Sequence, residues 1–222
     1  MTNKRKETFM KTILFQGDSI TDCSRSRDNI KSLGSGYPNL VTSYLSYERP
    51  GEFNYVNKGI SGNRIVDLYA RIKADIINLE PDYMSILIGV NDVWHEISSK
   101  NGVDADKFEK IYSMLIEEVL AALPNIKIAI LEPYVLEGEA TKNTEEDPER
   151  WNTFRREVEK RAAAAKRIAE KYGLTFIALQ EKLDKAAEKT GSSEHWLKDG
   201  VHPDFGGHEL IARAWLNGFK IS

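Results

Sequence analysis

The segment GDSIT at residues 17–21 places a potential nucleophile, Ser19, directly after a short β-type run. A serine here would enter a helix, whose first N–H groups are free to interact with an anion. Serine and aspartate are also ordinary residues at helix starts, so the pentapeptide alone fits a purely structural role equally well. A catalytic role requires a base that accepts the proton of the hydroxyl.

The segment DGVHP at residues 199–203 supplies the best candidate for that base. Of the four histidines, only His202 has an acidic residue, Asp199, at a tight spacing. Pro203 disfavours a helical conformation for His202, so the segment should be extended or turned. Such a turn lets the carboxylate contact one ring nitrogen while the other faces a serine, as a Ser-His-Asp triad requires. By itself, an ordinary aspartate-containing turn would explain the same residues.

Two further segments could donate hydrogen bonds to the oxyanion that forms during acyl transfer. GISGN at residues 59–63 contains Gly62, and a glycine lets a backbone N–H approach a substrate closely. GVND at residues 89–92 contains Asn91, whose side-chain amide can donate. Each segment, met singly, would be interpreted as a loop.

Four neighbouring residues are candidates for substrate binding: Asp18, Trp94, His95 and Trp196. We expect Asp18 to brace the turn that carries Ser19 and not to act as a second catalytic acid. Aromatic faces such as those of Trp94 and Trp196 suit a sugar ring, although half-buried packing explains them as well. His95 could line the pocket.

The single cysteine, Cys23, excludes an internal disulfide and a cysteine-rich metal site. It has no neighbouring histidine–acid pair in the sequence, so we expect a buried structural thiol. His195 and His208 are expected to be structural or exposed. The chain has neither a phosphate-binding loop of the P-loop type nor a dinucleotide-binding glycine motif after the first strand. The sequence therefore predicts no cofactor and no metal.

The elements that must position these segments alternate between β and α patterns. Short apolar runs predict strands at residues 12–16, 53–57, 83–88, 126–131 and 174–179. Helical spacing is present over 65–79 and 108–122, and helices are predicted at 148–172 and from Pro203 to about residue 216. This alternation predicts a parallel sheet with helices on both faces and a site at the carboxyl ends of the strands. The acidic stretch 133–147 is expected to be a flexible loop or a rim of the site.

Composition gives no reason to propose nucleic acid or a membrane as the main partner, since 31 Lys and Arg nearly balance 34 Asp and Glu. The 222-residue length fits a single domain over residues 1–222, with residues 1–8 as a flexible tail. We find no secretory signal and no stretch of roughly 20 apolar residues that would span a bilayer. The sequence therefore favours a cytoplasmic protein.

Taken together, the four segments resemble the SGNH, or GDSL, hydrolase family over nearly the whole chain. The marker residues match in order: Ser19 in GDSIT, Gly62 in GISGN, Asn91 in GVND and His202 in DGVHP. The resemblance implies an α/β fold, namely a three-layer αβα sandwich of flavodoxin-like type with a central parallel sheet of about five strands. It also implies an oxyanion hole made by the Ser19 N–H, the Gly62 N–H and the Asn91 side chain.

Within that family, the stretches FQGDSITDC, VNKGISGNRIVDL and IGVNDVW are most similar to intracellular acetylxylan esterases. This likeness implies a serine esterase acting on short O-acyl esters, above all O-acetyl groups of xylo-oligosaccharides or other sugars, and a homo-oligomer. Two alternatives stay open. One is a lysophospholipase or thioesterase for longer acyl chains, and the other is a carbohydrate-binding protein on the same fold without turnover.

Overall fold

A five-stranded parallel sheet forms the centre of the computed structural model, which describes residues 10–221. Its strands are β1 (Lys11–Gly17), β2 (Phe53–Asn57), β3 (Tyr83–Leu87), β4 (Lys127–Leu131) and β5 (Thr175–Ile177), in the order β2-β1-β3-β4-β5. The strand bounds agree with the prediction to within one residue except for β5, which is shorter than expected. The tail predicted at residues 1–8 lies outside the described residues.

Helices cover both faces of the sheet. They are α1 (Ser19–Asp22), α2 (Tyr37–Glu48), α3 (Ile65–Ala70), α4 (Ile72–Asp75), α5 (Val90–Ser99), α6 (Ala105–Ala122), α7 (Arg150–Tyr172), α8 (Gln180–Thr190) and α9 (Phe205–Gly218). Successive side chains of a strand point to opposite faces. In β1, Ile13 and Phe15 therefore join the core beneath α2 and α9, while Leu14 joins the core beneath α3 and α6. The predicted three-layer αβα sandwich is confirmed.

The helical pattern over residues 65–79 is divided in the structure. It forms α3, α4 and a short 3₁₀ turn at Ile77–Leu79, because the backbone leaves helical angles at Arg71 and Ile76. The last helix also begins later than predicted. Asp204 caps it by accepting the N–H of Phe205, so Pro203 stays outside the helix and bridges to Leu197.

The stretch 133–147, for which the sequence left open a flexible loop or a rim of the site, begins inside the core. Tyr134, Val135, Leu136 and Thr141 are buried. The amide of Gln180 bonds both the N–H and the carbonyl of Val135, at 2.9 Å each. The beginning of this loop is therefore part of the core, and only its acidic remainder faces solvent. Every helix between residues 10 and 221 is too short or too polar to span a bilayer.

Candidate active site

The order of the strands brings the chemistry-bearing segments together. β1 lies between β2 and β3, so the segments that follow these three strands meet at one edge of the sheet. Ser19 follows β1, Gly62 lies in the loop after β2, and Asn91 stands in the first turn of α5 after β3. His202 lies just before α9, 183 residues after Ser19 in the sequence.

Ser19 is the first residue of α1 and its hydroxyl points at His202. Asp18 caps the helix, with one carboxylate oxygen accepting the N–H of Ile20 at 3.0 Å. This cap fixes the turn that carries Ser19. The Ser19 Oγ lies 2.9 Å from His202 Nε2, a distance at which the imidazole can accept the hydroxyl proton.

The carboxylate of Asp199 orients His202. Its Oδ2 lies 2.7 Å from His202 Nδ1, and its Oδ1 accepts the N–H groups of Val201 at 2.9 Å and of His202 at 2.8 Å. Burial opposes ionisation of Asp199, but these hydrogen bonds outweigh it and lower its pKa to about 2. The hydrogen bond that the ring donates to Asp199 also raises the pKa of His202 above its ordinary value. The aspartate is thus ionised at neutral pH and favours proton uptake by the ring.

The 133–147 loop supports the turn that holds this pair. The N–H of Leu136 donates to the carbonyl of Gly200, and the N–H of Ala140 donates to the carbonyl of Asp199, both at 2.9 Å. The N–H of Lys198 also donates to the carbonyl of His202 at 2.8 Å. Backbone bonds from both sides therefore hold the turn in place.

Two donor segments for an oxyanion are tied to each other. The Asn91 amide donates one hydrogen to the carbonyl of Asn63 at 3.1 Å, which links α5 to the Gly62 loop and leaves its second hydrogen for another acceptor. Gly62 adopts φ +80°, a conformation that favours glycine. Among the described residues, neither the Ser19 N–H nor the Gly62 N–H has an acceptor. These three groups are free to bind an anion.

Two buried carboxyl groups lie beneath these segments. Burial raises the pKa of Asp18 to about 7, against the lowering effects of the Ile20 N–H and of His202. Burial raises the pKa of Asp92 to about 8, although Asp92 accepts the N–H of Ile65 at 3.1 Å. Asp92 therefore acts as a largely neutral, buried acceptor that anchors the start of α3.

A cleft of about 510 Å³ opens beside Ser19 and His202. Its other lining residues are Ile20, Asp22, Cys23, Ser24, Arg25, Arg27, Ser61, Lys198, Pro203 and His208. Most of these residues are polar or charged.

The other candidates for substrate binding, Trp94, His95 and Trp196, lie in different surroundings. Trp94 lies beside His202, and the centroids of the two rings are 5.7 Å apart. His95 and Trp196 do not line the cleft. Trp196 instead contacts His195 edge to face and lines a separate, more apolar cavity of about 690 Å³ between β5 and α9, which does not contain Ser19.

His208 has the structural role that the sequence allowed, whereas Cys23 differs from the sequence-based expectation. His208 is buried, accepts the N–H of Tyr37 at its Nδ1, and lies 3.4 Å from the Cys23 sulfur through its Nε2. Cys23 is only half-buried and lines the cleft. The expectation that Cys23 is a buried thiol was therefore wrong. Its partner histidine is 185 residues away, so no local motif in the sequence could have revealed it.

Arg25, Arg27 and Lys198 are cleft residues that the sequence-based reasoning missed. The two arginines follow the nucleophile within eight residues, and Lys198 directly precedes Asp199. This proximity was the available signal. Among residues 10–221, no group of three or more His, Cys, Asp or Glu side chains is arranged to hold a metal ion.

Residues 15–210 match the GDSL-like lipase/acylhydrolase family. The chain belongs to this family. An acetylxylan esterase of Geobacillus stearothermophilus is 36% identical to it over 220 residues, which cover 94% of each chain. This GDSL family member is therefore a carboxylic ester hydrolase, as the sequence predicted.

Solved structures agree with the assignment to the GDSL family. A protein from Parabacteroides merdae, assigned as a GDSL-like lipase, superposes with a TM-score of 0.84 at 31% identity, covering 96% of this chain and 98% of that one. A variant of the Geobacillus acetylxylan esterase superposes with a TM-score of 0.81 at 34% identity, covering 95% of each.

Variants of the Geobacillus enzyme in which alanine replaces a serine, an aspartate or a histidine are described as catalytic mutants. Its aspartate and histidine are three positions apart, as Asp199 and His202 are here. In another of its variants, isoleucine replaces the tryptophan that directly precedes that aspartate. The residue directly before Asp199 is Lys198.

Proposed function

We propose that this protein is a serine esterase that removes short acyl groups, above all acetyl groups, from sugars such as xylo-oligosaccharides. The observation that carries the proposal is the connected set of Ser19, His202 and Asp199. The hydroxyl lies 2.9 Å from one ring nitrogen of the histidine, and the carboxylate lies 2.7 Å from the other.

The mechanism begins with proton transfer from the Ser19 hydroxyl to His202 Nε2 as the oxygen attacks the ester carbonyl. Asp199 stabilises the imidazolium that results. When the tetrahedral intermediate collapses, the carbon–oxygen bond to the alcohol breaks and His202 returns its proton to that alcohol. His202 then takes a proton from water, whose oxygen attacks the acyl-enzyme and releases the acid together with free Ser19.

The oxyanion of each tetrahedral intermediate would be held by the N–H groups of Ser19 and Gly62 and by the Asn91 amide. Donors that are already fixed need no reorganisation when charge develops, so they stabilise the transition state more than the substrate. The bond from Asn91 to Asn63 supports this assignment, because it holds the amide beside the Gly62 loop before substrate arrives.

Two observations favour a short acyl group on a polar alcohol. The Ser19 cleft is lined mostly by polar and charged residues, and the larger apolar cavity contains neither Ser19 nor His202. A long acyl chain would need an apolar wall at the nucleophile. The similarity to an acetylxylan esterase supports the acetylated-sugar class. The predicted homo-oligomer and cytoplasmic location stay predictions, and light scattering of the purified protein would test the former.

The test is hydrolysis of p-nitrophenyl esters from acetate to octanoate by wild type, Ser19→Ala and the surface control Ser43→Ala. We expect acetate to be the best substrate and Ser19→Ala to lose at least about 10⁴-fold in kcat, with Ser43→Ala unchanged. A maximum at octanoate would assign the enzyme to lipid or thioester substrates. Loss of acetyl mass from acetylated xylo-oligosaccharides would then establish the sugar substrate.

A carbohydrate-binding protein without turnover is the alternative from a different class. It predicts no hydrolysis of any ester by folded wild type and equal saccharide affinity for wild type and Ser19→Ala. That result would contradict the esterase proposal.

A further inference from the structure

Cationic side chains dominate the cleft beside the proposed nucleophile. Arg25, Arg27 and Lys198 line it together with Ser19, whereas Asp22 is its one carboxylate among the described residues. His208 adds no charge near neutral pH, because burial lowers its pKa to about 4.

The carboxylate of Asp22, the one in the cleft, already has an arginine partner and an N–H donor. The Asp22 side chain is only 7% exposed and lies 2.7 Å from an Arg27 nitrogen, and it also accepts the N–H of Ser61 at 3.0 Å. Asp22 therefore compensates Arg27 and fixes the loop after β2.

Arg25 is fixed in place but its guanidinium makes no direct ion pair with any described residue. Its Nε donates to the carbonyl of Gly59 at 2.8 Å, which attaches the half-buried side chain to the loop that carries Gly62. Within residues 10–221, no carboxylate lies within 4.0 Å of its guanidinium. Burial, and then the charge of Arg27, lower the pKa of Arg25 from its ordinary value, although the more distant charges of Asp22 and Asp75 oppose them. A bound anion would relieve both effects, and the terminal nitrogens of a guanidinium suit a carboxylate or phosphate.

Lys198 adds a second available charge to the cleft. Its side chain is 61% exposed, and its nearest carboxylate, on Asp204, is 3.5 Å away. An exposed ion pair of this kind contributes little, so the ammonium can exchange partners at small cost. The Geobacillus acetylxylan esterase has a tryptophan directly before its catalytic aspartate, where this chain has the charged Lys198.

We propose that Arg25, assisted by Lys198, makes this esterase selective for acetylated saccharides that carry an anionic group, a carboxylate or a phosphate, on the alcohol portion of the ester. The inference rests on the proposed serine esterase function. An acetyl group is too small to carry the anion, so the charge must belong to the alcohol. A hexuronic acid residue is the saccharide carboxylate that fits this chemistry.

The test compares three monoacetylated methyl glycosides that differ only at the sixth carbon: the glucoside, the glucuronoside and the glucoside 6-phosphate. We would measure kcat/KM for each with wild type, Arg25→Gln, Arg25→Lys and Lys198→Gln, at low and high ionic strength. Arg156→Gln, an exposed arginine on α7, is the matched control. Thermal unfolding of every variant checks that it folds.

We expect wild type to prefer an anionic substrate over the glucoside by about tenfold or more in kcat/KM, as a charge-assisted hydrogen bond allows, with the preference weakened by salt. The ratio should fall towards one in Arg25→Gln, fall less in Arg25→Lys and Lys198→Gln, and persist in Arg156→Gln. Preference for the glucuronoside or for the phosphate identifies the source of the anion. If Arg25→Gln does not fold, Arg25→Lys and Lys198→Gln still test the ratio.

Equal kcat/KM for the three glycosides in wild type would overturn the inference, as would an unchanged ratio in folded Arg25→Gln. Either result, with p-nitrophenyl acetate still hydrolysed, would leave the serine esterase proposal intact. Absence of turnover on every ester would instead remove both proposals.

Discussion

The carboxylate of Asp199 contacts both the ring and the backbone N–H of His202. One oxygen lies 2.7 Å from the ring Nδ1, and the other accepts the backbone N–H of His202 at 2.8 Å. The side chain that sets the charge of the ring therefore also sets the backbone conformation beneath it. Because Nδ1 is held as the donor, Nε2 carries the lone pair that faces Ser19.

Replacement of Asp199 by Asn should remove the charge effect and change the acid limb of the pH–rate profile. Asp199 raises the pKa of His202, and a protonated ring cannot accept the serine proton. Wild-type activity should therefore rise with pH around a midpoint above the ordinary histidine value of about 6.5. In Asp199→Asn the midpoint should move to lower pH. The amide N–H₂ can also donate to Nδ1 and so favour the tautomer in which Nε2 carries the proton, which should lower kcat by about 10⁴-fold.

The pH profile of kcat/KM on p-nitrophenyl acetate measures the midpoint, and kcat at saturating ester measures the loss of rate; Asp106→Asn on the exposed surface of α6 is the control. A midpoint that does not move in Asp199→Asn would show that His202 is not the group that titrates.

Gly62 and Gly51 allow backbone strain to be separated from catalysis. Their φ angles are +80° and +79°, and a Cβ atom added to either would meet nothing within 4 Å. Alanine at each position should therefore cost a similar amount of stability, about 1 kcal/mol. Gly51 lies in the turn between α2 and β2, whereas Gly62 is the proposed oxyanion donor.

We expect Gly62→Ala to lower kcat by about tenfold or more and Gly51→Ala to leave it unchanged, measured on the same acetate ester beside urea unfolding. A Gly51→Ala variant that loses as much activity would attribute the effect to stability alone.

The parts of the fold that follow from local pattern were predictable. The apolar run of β1 indicates burial on both faces, and the glycine, asparagine and histidine segments are recognisable because each follows a strand or precedes a helix. The buried loop at Tyr134, Val135 and Leu136 was missed, because its acidic neighbours dominate the local composition. Its burial depends on Gln180, which no short window in the sequence includes.

The positive charge of the cleft was harder to predict from the sequence, for a related reason. Arg25, Arg27 and Lys198 are unremarkable as single loop residues, since most loop charges are solvated. Their significance depends on which of them already has a carboxylate partner. That information lies in tertiary contacts such as Arg27 with Asp22, not in spacing.

Asp92 should tolerate asparagine but not leucine. Burial raises its pKa to about 8, so the side chain is largely protonated at neutral pH and asparagine reproduces its shape and its acceptor. Leucine would leave the Ile65 N–H without its partner, at a cost of about 1–3 kcal/mol.

Urea unfolding near neutral pH tests this comparison for Asp92→Asn and Asp92→Leu. Because the folded state holds this proton more tightly than the unfolded state, wild type should also gain stability relative to Asp92→Asn as the pH falls below about 8. Equal destabilisation by both substitutions would show that Asp92 is ionised in the folded protein.

His208 should make the protein sensitive to acid in the opposite sense. Burial lowers its pKa to about 4, whereas the unfolded chain binds the proton at about 6.5. Between these values the unfolded state holds more protons, so stability falls as the pH is lowered. From about pH 7 to about pH 5, wild type should lose about 2 kcal/mol more than His208→Asn, whose side-chain oxygen can still accept the Tyr37 N–H.

Urea unfolding at the two pH values measures this difference, and His195→Asn, at an exposed histidine, should behave as wild type. Parallel losses in wild type and His208→Asn would mean that His208 is protonated inside the folded protein, and the Cys23–His208 contact would then join an uncompensated cation to the already cationic cleft.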